Sequence, residues 1–542
     1  MPVNRRRQLA RSSAADHRRS DPSLLHQSMV ALSTRRVHLT WTSLFGVVTV
    51  TCLVILAITG ILLAFPYRPS GLSVTYHGVY TPLTGVTVSE AYDSVMKISL
   101  ELPGGLLIRQ THHWAALVLP ASLIVQLLST FFSGGFRRPR RIAWLLLVGL
   151  FVIALLGGWS GYALPNDMLA GTGLRIFQGT MLAIPFVGTQ LAVWLFGGGF
   201  PGQIIEHLYP VHVLLVPGAA AVALAARLVH AWRHGPTIPA NAAATGSIGI
   251  RMWPDAAMKA FSMGAMTTAV LVMLGTVATI SPVWLYGPAD PAMVSAGSQP
   301  DWYIGFVDGA LRLAPPGWET RWFGYTWTFA ILVPLLVVGG WFIALTLYPY
   351  LESWVTGDRL DHDVRERPRN VPVRTGIGVA GALFYGVLWA AAGSDIIATT
   401  FHLSFEAIVR VLRITLIVGP LLAFEITRRI ALGMQRADRD IVLHGRETGQ
   451  LTRTPEGGYV ELHQSVADAE LPALAVEPVE AVRIRPDRDG RLTARTRLRG
   501  YLGRHFVEGY VHPVEAPEHE ALSSDRPSTE ERHPAEASET HQ

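Results

Sequence analysis

Cysteine is nearly absent from this sequence: Cys52 is the only one in 542 residues. A disulfide framework, a four-cysteine iron–sulfur site and a C-x-x-C-H haem attachment are therefore excluded, and any metal chemistry must use histidine or a partner subunit. Charge is scarce too, at 16% of residues against 50% hydrophobic, well below the roughly one quarter of soluble domains. With a mean hydropathy of +0.31, this excludes disordered, fibrous and secreted disulfide-rich classes and identifies a polytopic membrane protein. The net charge of +5 comes from arginines set beside apolar blocks. That is the pattern bilayer orientation requires, so the basicity reads as topology and not as nucleic-acid binding.

Apolar blocks of about 19 residues or more, enough to cross a hydrocarbon layer, fall near 43–65, 115–133, 143–163, 209–231, 262–285, 326–348, 377–397 and 404–431. They predict an all-α protein with eight transmembrane helices. The arginine-rich segment 1–40 lacks a cleavable apolar region and reads as an uncleaved cytoplasmic tail. Arginines also follow the second span (Arg137, Arg138, Arg140, Arg141), the fourth (Arg233, Arg251) and the sixth (Arg359, Arg365, Arg367, Arg369). The positive-inside rule then puts both termini in the cytoplasm. A ninth apolar stretch, 180–200, would invert this pattern if it crossed, so it is expected at the outer surface or as a re-entrant segment. The chain divides into a basic tail (1–40), spans one to four (41–255), spans five to eight with an outer loop (256–432), and a polar extension (433–542). The stretch 513–542 has almost no large apolar residues and is expected to be disordered.

Two apolar helices each present a histidine near the outer end, His112 at the start of span two and His212 at the start of span four. Ionisable residues in a membrane are costly and usually functional, and imidazoles from facing helices can hold a haem iron from both sides. Arg109, one turn before His112, could meet a haem propionate, and spans one to four would form a haem-binding four-helix bundle. The competing reading makes both histidines interfacial caps.

These residues sit in a sequence that resembles the cytochrome b subunit of quinol:cytochrome c reductases (the cytochrome bc1 complex), in the long actinobacterial form with cytoplasmic extensions. The resemblance covers roughly 40–435, through GGLLIRQTHHWAAL at 104–117, GYALPNDMLAGTGLR at 161–175, HLYPVHVLLVPG at 207–218 and PDWYIGFVDGALRLAPP at 300–316. It implies eight helices with b-type haem among spans one to four in a bacterial cell membrane. It also implies menaquinol as substrate, a Rieske iron–sulfur subunit and a cytochrome c subunit as partners, a homodimer in membrane lipid, and association with a terminal oxidase in a supercomplex. PDWY then corresponds to the family's Pro-Glu-Trp-Tyr segment at the outer quinol-oxidation site. A carboxylate such as Asp301 can take a quinol proton, and the phenol of Tyr303 can hydrogen-bond a quinol oxygen. The alternative is that Asp301 merely caps a surface helix.

The sequence departs from the family at the inner, cytoplasmic haem. Its axial histidines lie 14 residues beyond the first in span two and about 15 in span four, and Gln126 and Arg227 stand there instead. A neutral amide binds iron weakly and a guanidinium has no lone pair to offer. The family also keeps paired glycines against the porphyrins. Gly46, Gly60 and Gly161 are retained, but Leu147 replaces the inner glycine of span three. The nearest histidine in span four is His230, one turn below Arg227. Arg227 itself is expected to snorkel toward Arg233 or to find a carboxylate. One b haem held by His112 and His212 is therefore expected, the second being doubtful. Two further readings compete with an active oxidoreductase: a divergent non-catalytic assembly or regulatory subunit, and a transporter or channel.

Overall fold

A bilayer offers the backbone no hydrogen-bond partners, so a chain that crosses it must satisfy its own amides, and long apolar stretches become helices. The computed structural model describes residues 33–507 except 245, 296–297, 468–469 and 475–492. Among these are eight helices long and apolar enough to cross a membrane. Spans one to four are Trp41–Ala64, Gly105–Phe132, Arg141–Ala163 and Ile204–His234; spans five to eight are Met252–Val277, Phe329–Thr356, Pro372–Ala392 and Phe405–His444. The expected disorder at 513–542 and most of the basic tail lie outside the described residues.

Several limits differ from the sequence expectation, and two of them share one cause. Span two begins ten residues earlier than the apolar block, at Gly105, because its polar first turns are bonded to the chain that leaves span five. The Gln110 amide pairs with both backbone groups of Ile280, donating to its carbonyl at 2.8 Å and accepting from its N–H at 2.9 Å. Trp114 Nε1 donates to the Ala278 carbonyl at 2.8 Å. Span five consequently stops at Val277, short of the expected 285. The stretch 180–200 does not form one helix: it breaks around Pro185 between helices Met168–Leu182 and Gly188–Phe196, and the second has only 9 residues. That is too short to span.

Spans one, two and three meet segment 303–313 and spans six and seven in one apolar core that includes Cys52, Leu123, Leu147, Phe151 and Tyr303. At the end of the bundle carrying His112 and His212, here the histidine end, helices Glu90–Leu100, Met168–Leu182 and Gly188–Phe196 form a cap over two smaller apolar clusters. The opposite, arginine end gathers the connections after spans two, four and six. Arg140 donates to the carbonyls of His234, Gly235 and His362 and to Asp363. Arg36 and Val37 pair antiparallel with Ile250 and Arg251 at the same end. Arg374, 1% exposed, forks onto both oxygens of Glu352 at 2.9 and 2.6 Å and also reaches Glu366.

A second compact unit begins at Gln435. Its described part contains an antiparallel hairpin, Arg446–Arg453 with Tyr459–Gln464.

Candidate functional site

His112 and His212 come together between spans two and four, with ring centroids 6.3 Å apart. Neither caps a helix end. Span one supplies Thr59, whose hydroxyl lies 2.9 Å from His112 Nδ1 and donates to the Ile55 carbonyl at 2.6 Å. Span three supplies Ser160, whose hydroxyl lies 3.1 Å from His212 Nδ1 and donates to the Gly157 carbonyl at 3.1 Å. Each hydroxyl has given its one hydrogen to a carbonyl, so it accepts from Nδ1–H and leaves Nε2 with a free lone pair. Both partners immediately precede the retained glycines. A Cβ on Gly161 would lie 2.6 Å from His212 Cε1, and one on Gly60 would lie 3.3 Å from His112 Cε1, so the ring at span three needs a glycine to seat.

The donor set fits a haem iron. With nitrogen–metal bonds of about 2 Å on each side, two imidazoles sharing one iron stand about 6 Å apart, close to the observed spacing. Arg109 gives a second observation: one guanidinium nitrogen donates to the Ser281 carbonyl at 2.8 Å, while its Nε is buried with no partner among the described residues. A buried cation with an unused N–H suits an anionic group such as a propionate.

One layer deeper the geometry is different. Span four contains a π turn at Val211–Leu215 around His212. Such a turn inserts one residue without adding a helical turn. The 15 residues from His212 to Arg227 therefore cover the same depth as the 14 from His112 to Gln126, about 21 Å of rise. Arg227 and Gln126 do share a layer, and they bond directly: Arg227 donates to Gln126 Oε1 at 2.7 Å. Arg227 thus neither snorkels nor finds a carboxylate, because an amide oxygen at its own depth satisfies it. Gln126 Nε2 donates to Thr49 Oγ1 at 2.7 Å, and Thr49 meets Ser122 at 2.7 Å. Gly46 packs on the same amide, and Leu147 is 1% exposed within the core. His230 lies below this layer, its ring tilted against that of His234 with centroids 4.4 Å apart.

Beside the histidine pair is a cavity of about 300 Å³ lined by Trp159, Tyr162, Phe177, Asp301, Tyr303 and Asp308, among others. Asp301 caps nothing, since the following helix starts at Gly305 with Ile304 as its N-cap. Its Oδ2 accepts from the Tyr303 hydroxyl at 2.8 Å and lies 3.5 Å from His113 Nε2. Tyr303 is 1% exposed, and burial together with the Asp301 charge holds its phenol well above the ordinary range. Gly158 on span three makes this possible, as a Cβ there would fall 2.1 Å from the Tyr303 hydroxyl. Burial also raises Asp308 against the opposing pull of Arg312. Asp167 caps helix Met168–Leu182 through Oδ1, and burial pushes it up to about 6.

Thr59, Ser160, His113 and Asp308 are absent from the sequence expectation. The first two had a signal, since each stands directly before a glycine expected to face the site.

Residues 117–288 match the family described as Cytochrome b(N-terminal)/b6/petB. The chain is 42% identical over 453 residues to a Streptomyces coelicolor protein named cytochrome bc1 complex cytochrome b subunit, covering 83% of each. It is 41% identical over 437 residues to a Mycobacterium tuberculosis protein of the same name, covering 79% of each. A chain of a solved hyperthermophilic respiratory Complex III superposes with a TM-score of 0.54 at 18% identity, over 76% of this chain and 99% of that one, and so shares the fold. A histidine pair in a four-helix bundle, on a sequence this similar over four fifths of its length, leaves one assignment: the chain belongs to the cytochrome b subunits of cytochrome bc1 complexes.

Proposed function

We propose that this chain is the haem-bearing membrane subunit of a menaquinol:cytochrome c oxidoreductase in a bacterial respiratory chain, and that it carries a single b haem. His112 and His212 would hold the iron, Gly60 and Gly161 would seat it, and Arg109 would meet a propionate. Bound there, the haem supplies a one-electron acceptor. The observation that carries the reading is the pair of imidazole rings from spans two and four, 6.3 Å apart, beside a cavity furnished with Asp301 and Tyr303. Asp301 receives a proton from the quinol hydroxyl. Tyr303 gives its own hydrogen to Asp301, so it orients the carboxylate and offers the quinol an acceptor oxygen. A Rieske iron–sulfur subunit and a cytochrome c subunit would take electrons at the histidine end, which is then the outer face, with both termini cytoplasmic. A homodimer and a terminal-oxidase supercomplex follow from the same resemblance.

The Arg227–Gln126 bond favours a second reading, a paralogue without the inner haem that acts as an assembly or regulatory subunit. Both readings predict one haem, and only the first predicts quinol turnover. The test is the haem-to-protein ratio by pyridine haemochrome, with a redox titration and a quinol:cytochrome c assay on the purified complex. One haem, one titration step and turnover support the first reading. Two haems would overturn the single-haem assignment, and one haem without turnover would select the second.

A further inference from the structure

The histidine end carries a group of exposed aromatic rings that the site does not use. Residues 319–328 form a β-hairpin, Glu319–Trp322 with Tyr325–Thr328, joined through Phe323 and Gly324. Opposed residues of an antiparallel pair point to the same side of the ladder. The register therefore sorts this hairpin into two unlike faces: Trp322 opposite Tyr325 and Thr320 opposite Trp327 on one, Arg321 opposite Thr326 and Glu319 opposite Thr328 on the other. Phe186 joins the aromatic face from the turn after helix Met168–Leu182, its ring 4.6 Å from that of Tyr325 and 6.0 Å from that of Trp327.

Two of these rings are held at a cost. Phe186 and Phe323 both have left-handed backbones, with φ of 69° and 51°, a region that bulky side chains avoid. Positive φ at both Phe323 and Gly324 matches a type I′ turn, whose first central position prefers asparagine, aspartate or glycine. Burial does not offset the strain, because Phe186 is 53% and Phe323 69% exposed among the described residues. Trp322 and Tyr325 are exposed beside them. A contiguous patch of this kind marks a contact outside the chain. Its position says which: Thr328, the last residue of the hairpin, is the N-cap of span six, so the patch stands at the edge of the hydrocarbon. Tryptophan and tyrosine concentrate at that boundary, where an element with one aromatic and one charged face can lie flat.

We propose that the hairpin 319–328, together with Phe186, is an anchor in the lipid headgroup layer at the histidine end, and that it fixes the walls of the quinol cavity at the membrane surface. The patch joins three elements that line the cavity: helix Met168–Leu182 through Phe177, helix Gly305–Leu313 through Val307, and span six through Leu335. The aromatic face turns to lipid and the face with Glu319 and Arg321 to water. A quinol dissolved in the bilayer reaches the cavity from that surface, so the anchor acts on substrate capture and not on the chemical step. The link to the cavity rests on the quinol-oxidising reading above; the anchor itself does not.

Cys52 is the only cysteine of the chain and is buried, so a cysteine placed on the hairpin takes a nitroxide label alone within it, with the unsubstituted complex as the blank. The test labels F323C and, on the polar face, R321C in the whole complex in phosphatidylglycerol nanodiscs. It reads collisions with oxygen, which concentrates in lipid, and with a nickel chelate, which stays in water. The label at position 323 is expected to relax with oxygen and the label at position 321 with nickel. Two labels that both meet nickel overturn the anchor. A label at position 323 shielded from both reagents overturns lipid as the partner, because protein then covers the patch. A second variant, W322T/F323N, removes the two outermost rings while giving the strand a β-branched residue and the turn its preferred asparagine, so the hairpin itself is kept. It is expected to raise KM for quinol about threefold or more, with kcat and the haem spectrum unchanged. An unchanged KM overturns the link to the cavity. A wild-type complex that oxidises no quinol overturns that link together with the quinol reading, and the two labels still decide the anchor.

Discussion

Arg227 of span four donates a 2.7 Å hydrogen bond to the amide oxygen of Gln126 on span two, the two positions where the sequence resemblance expects inner-haem histidines. For an iron to enter between them, these two side chains would have to part. The bond depends on register: a slip of one residue in span four would turn Arg227 about 100° around the helix, away from Gln126. The arginine and glutamine act as a matched pair, the guanidinium supplying the donors and the amide both an acceptor and a donor that continues to Thr49.

If that pair and Leu147 are what close the layer, reversing all three should open it. The triple variant Q126H/R227H/L147G is expected to bind a second haem, raising the haem-to-protein ratio from one to two and adding a second step to the redox titration. Q126A alone should leave haem content unchanged. It should lower stability by about 1–3 kcal/mol, because the buried guanidinium loses its acceptor. Pyridine haemochrome and unfolding in mixed micelles read the two effects separately. Loss of haem in Q126A would mean that this layer is not independent of the histidine pair.

The eight spans were legible because lipid allows so few solutions to the backbone, and the histidine pair because ionisable groups in apolar helices stand out. The π turn around His212 was not, since one extra residue in an apolar helix leaves the hydropathy unchanged. Thr59 and Ser160 carried only the hint of the glycine that follows each: hydroxyls within helices ordinarily bond back to their own carbonyls, as both do here, and only the fold brings an imidazole to the oxygen that remains. Asp308 reads in sequence as half of an exposed i,i+4 pair with Arg312, until segment 300–316 is laid against span three and the outer helices. The end of span five failed because apolarity continues past Val277, while Gln110 and Trp114 claim the backbone there.

Asp167 gives a pH-dependent prediction. Its carboxyl is 5% exposed, and burial raises it from the ordinary 3.8 to about 6 against the pull of Arg109 and the two N–H groups it caps. A raised carboxyl pKa means that the folded state binds the proton more tightly than the unfolded one. Its contribution to stability is therefore complete below about pH 3.8 and is lost as the pH rises through about 6. D167N keeps the cap oxygen without the charge, and is expected to flatten the stability profile between those limits. D167A removes the cap as well and should cost about 0.5–2 kcal/mol at every pH. Thermal unfolding across pH 4–8, followed in parallel for the three proteins, checks both. A D167N profile that still falls over this range would assign the dependence elsewhere.

At the arginine end, Arg374 is held by both oxygens of Glu352, itself 6% exposed. Removing Glu352 leaves the buried Arg374 with Glu366 alone, so E352A should destabilise the protein by up to about 3–5 kcal/mol. Replacing both by apolar residues of similar size, as in E352L/R374M, should cost much less, because no buried charge is left uncompensated. Unfolding of the single and double variants in mixed micelles measures the difference. Equal losses in both would mean that the pair contributes chiefly through its attraction.

The hydroxyls behind the two histidines make the last prediction, because they separate a haem site from a chance meeting of rings. Thr59 and Ser160 each lie within hydrogen-bond distance of an Nδ1, and with their own hydrogens given to carbonyls they favour the tautomer that leaves Nε2 free for a metal. Without the hydroxyl an imidazole can carry its proton on either nitrogen and rotate, and its affinity for iron falls; losses of such outer partners typically cost about 10–100-fold in metal affinity. T59V keeps the shape of the side chain and removes only the acceptor, and S160A does the same on span three. Each is expected to retain less haem than wild type through detergent gel filtration and to show a displaced redox midpoint, with the double variant poorer than either. H112A should retain none. If T59V and S160A kept full haem with an unchanged midpoint, the iron would not depend on these tautomers, and the assignment of Nε2 as the ligating atom would have to be given up.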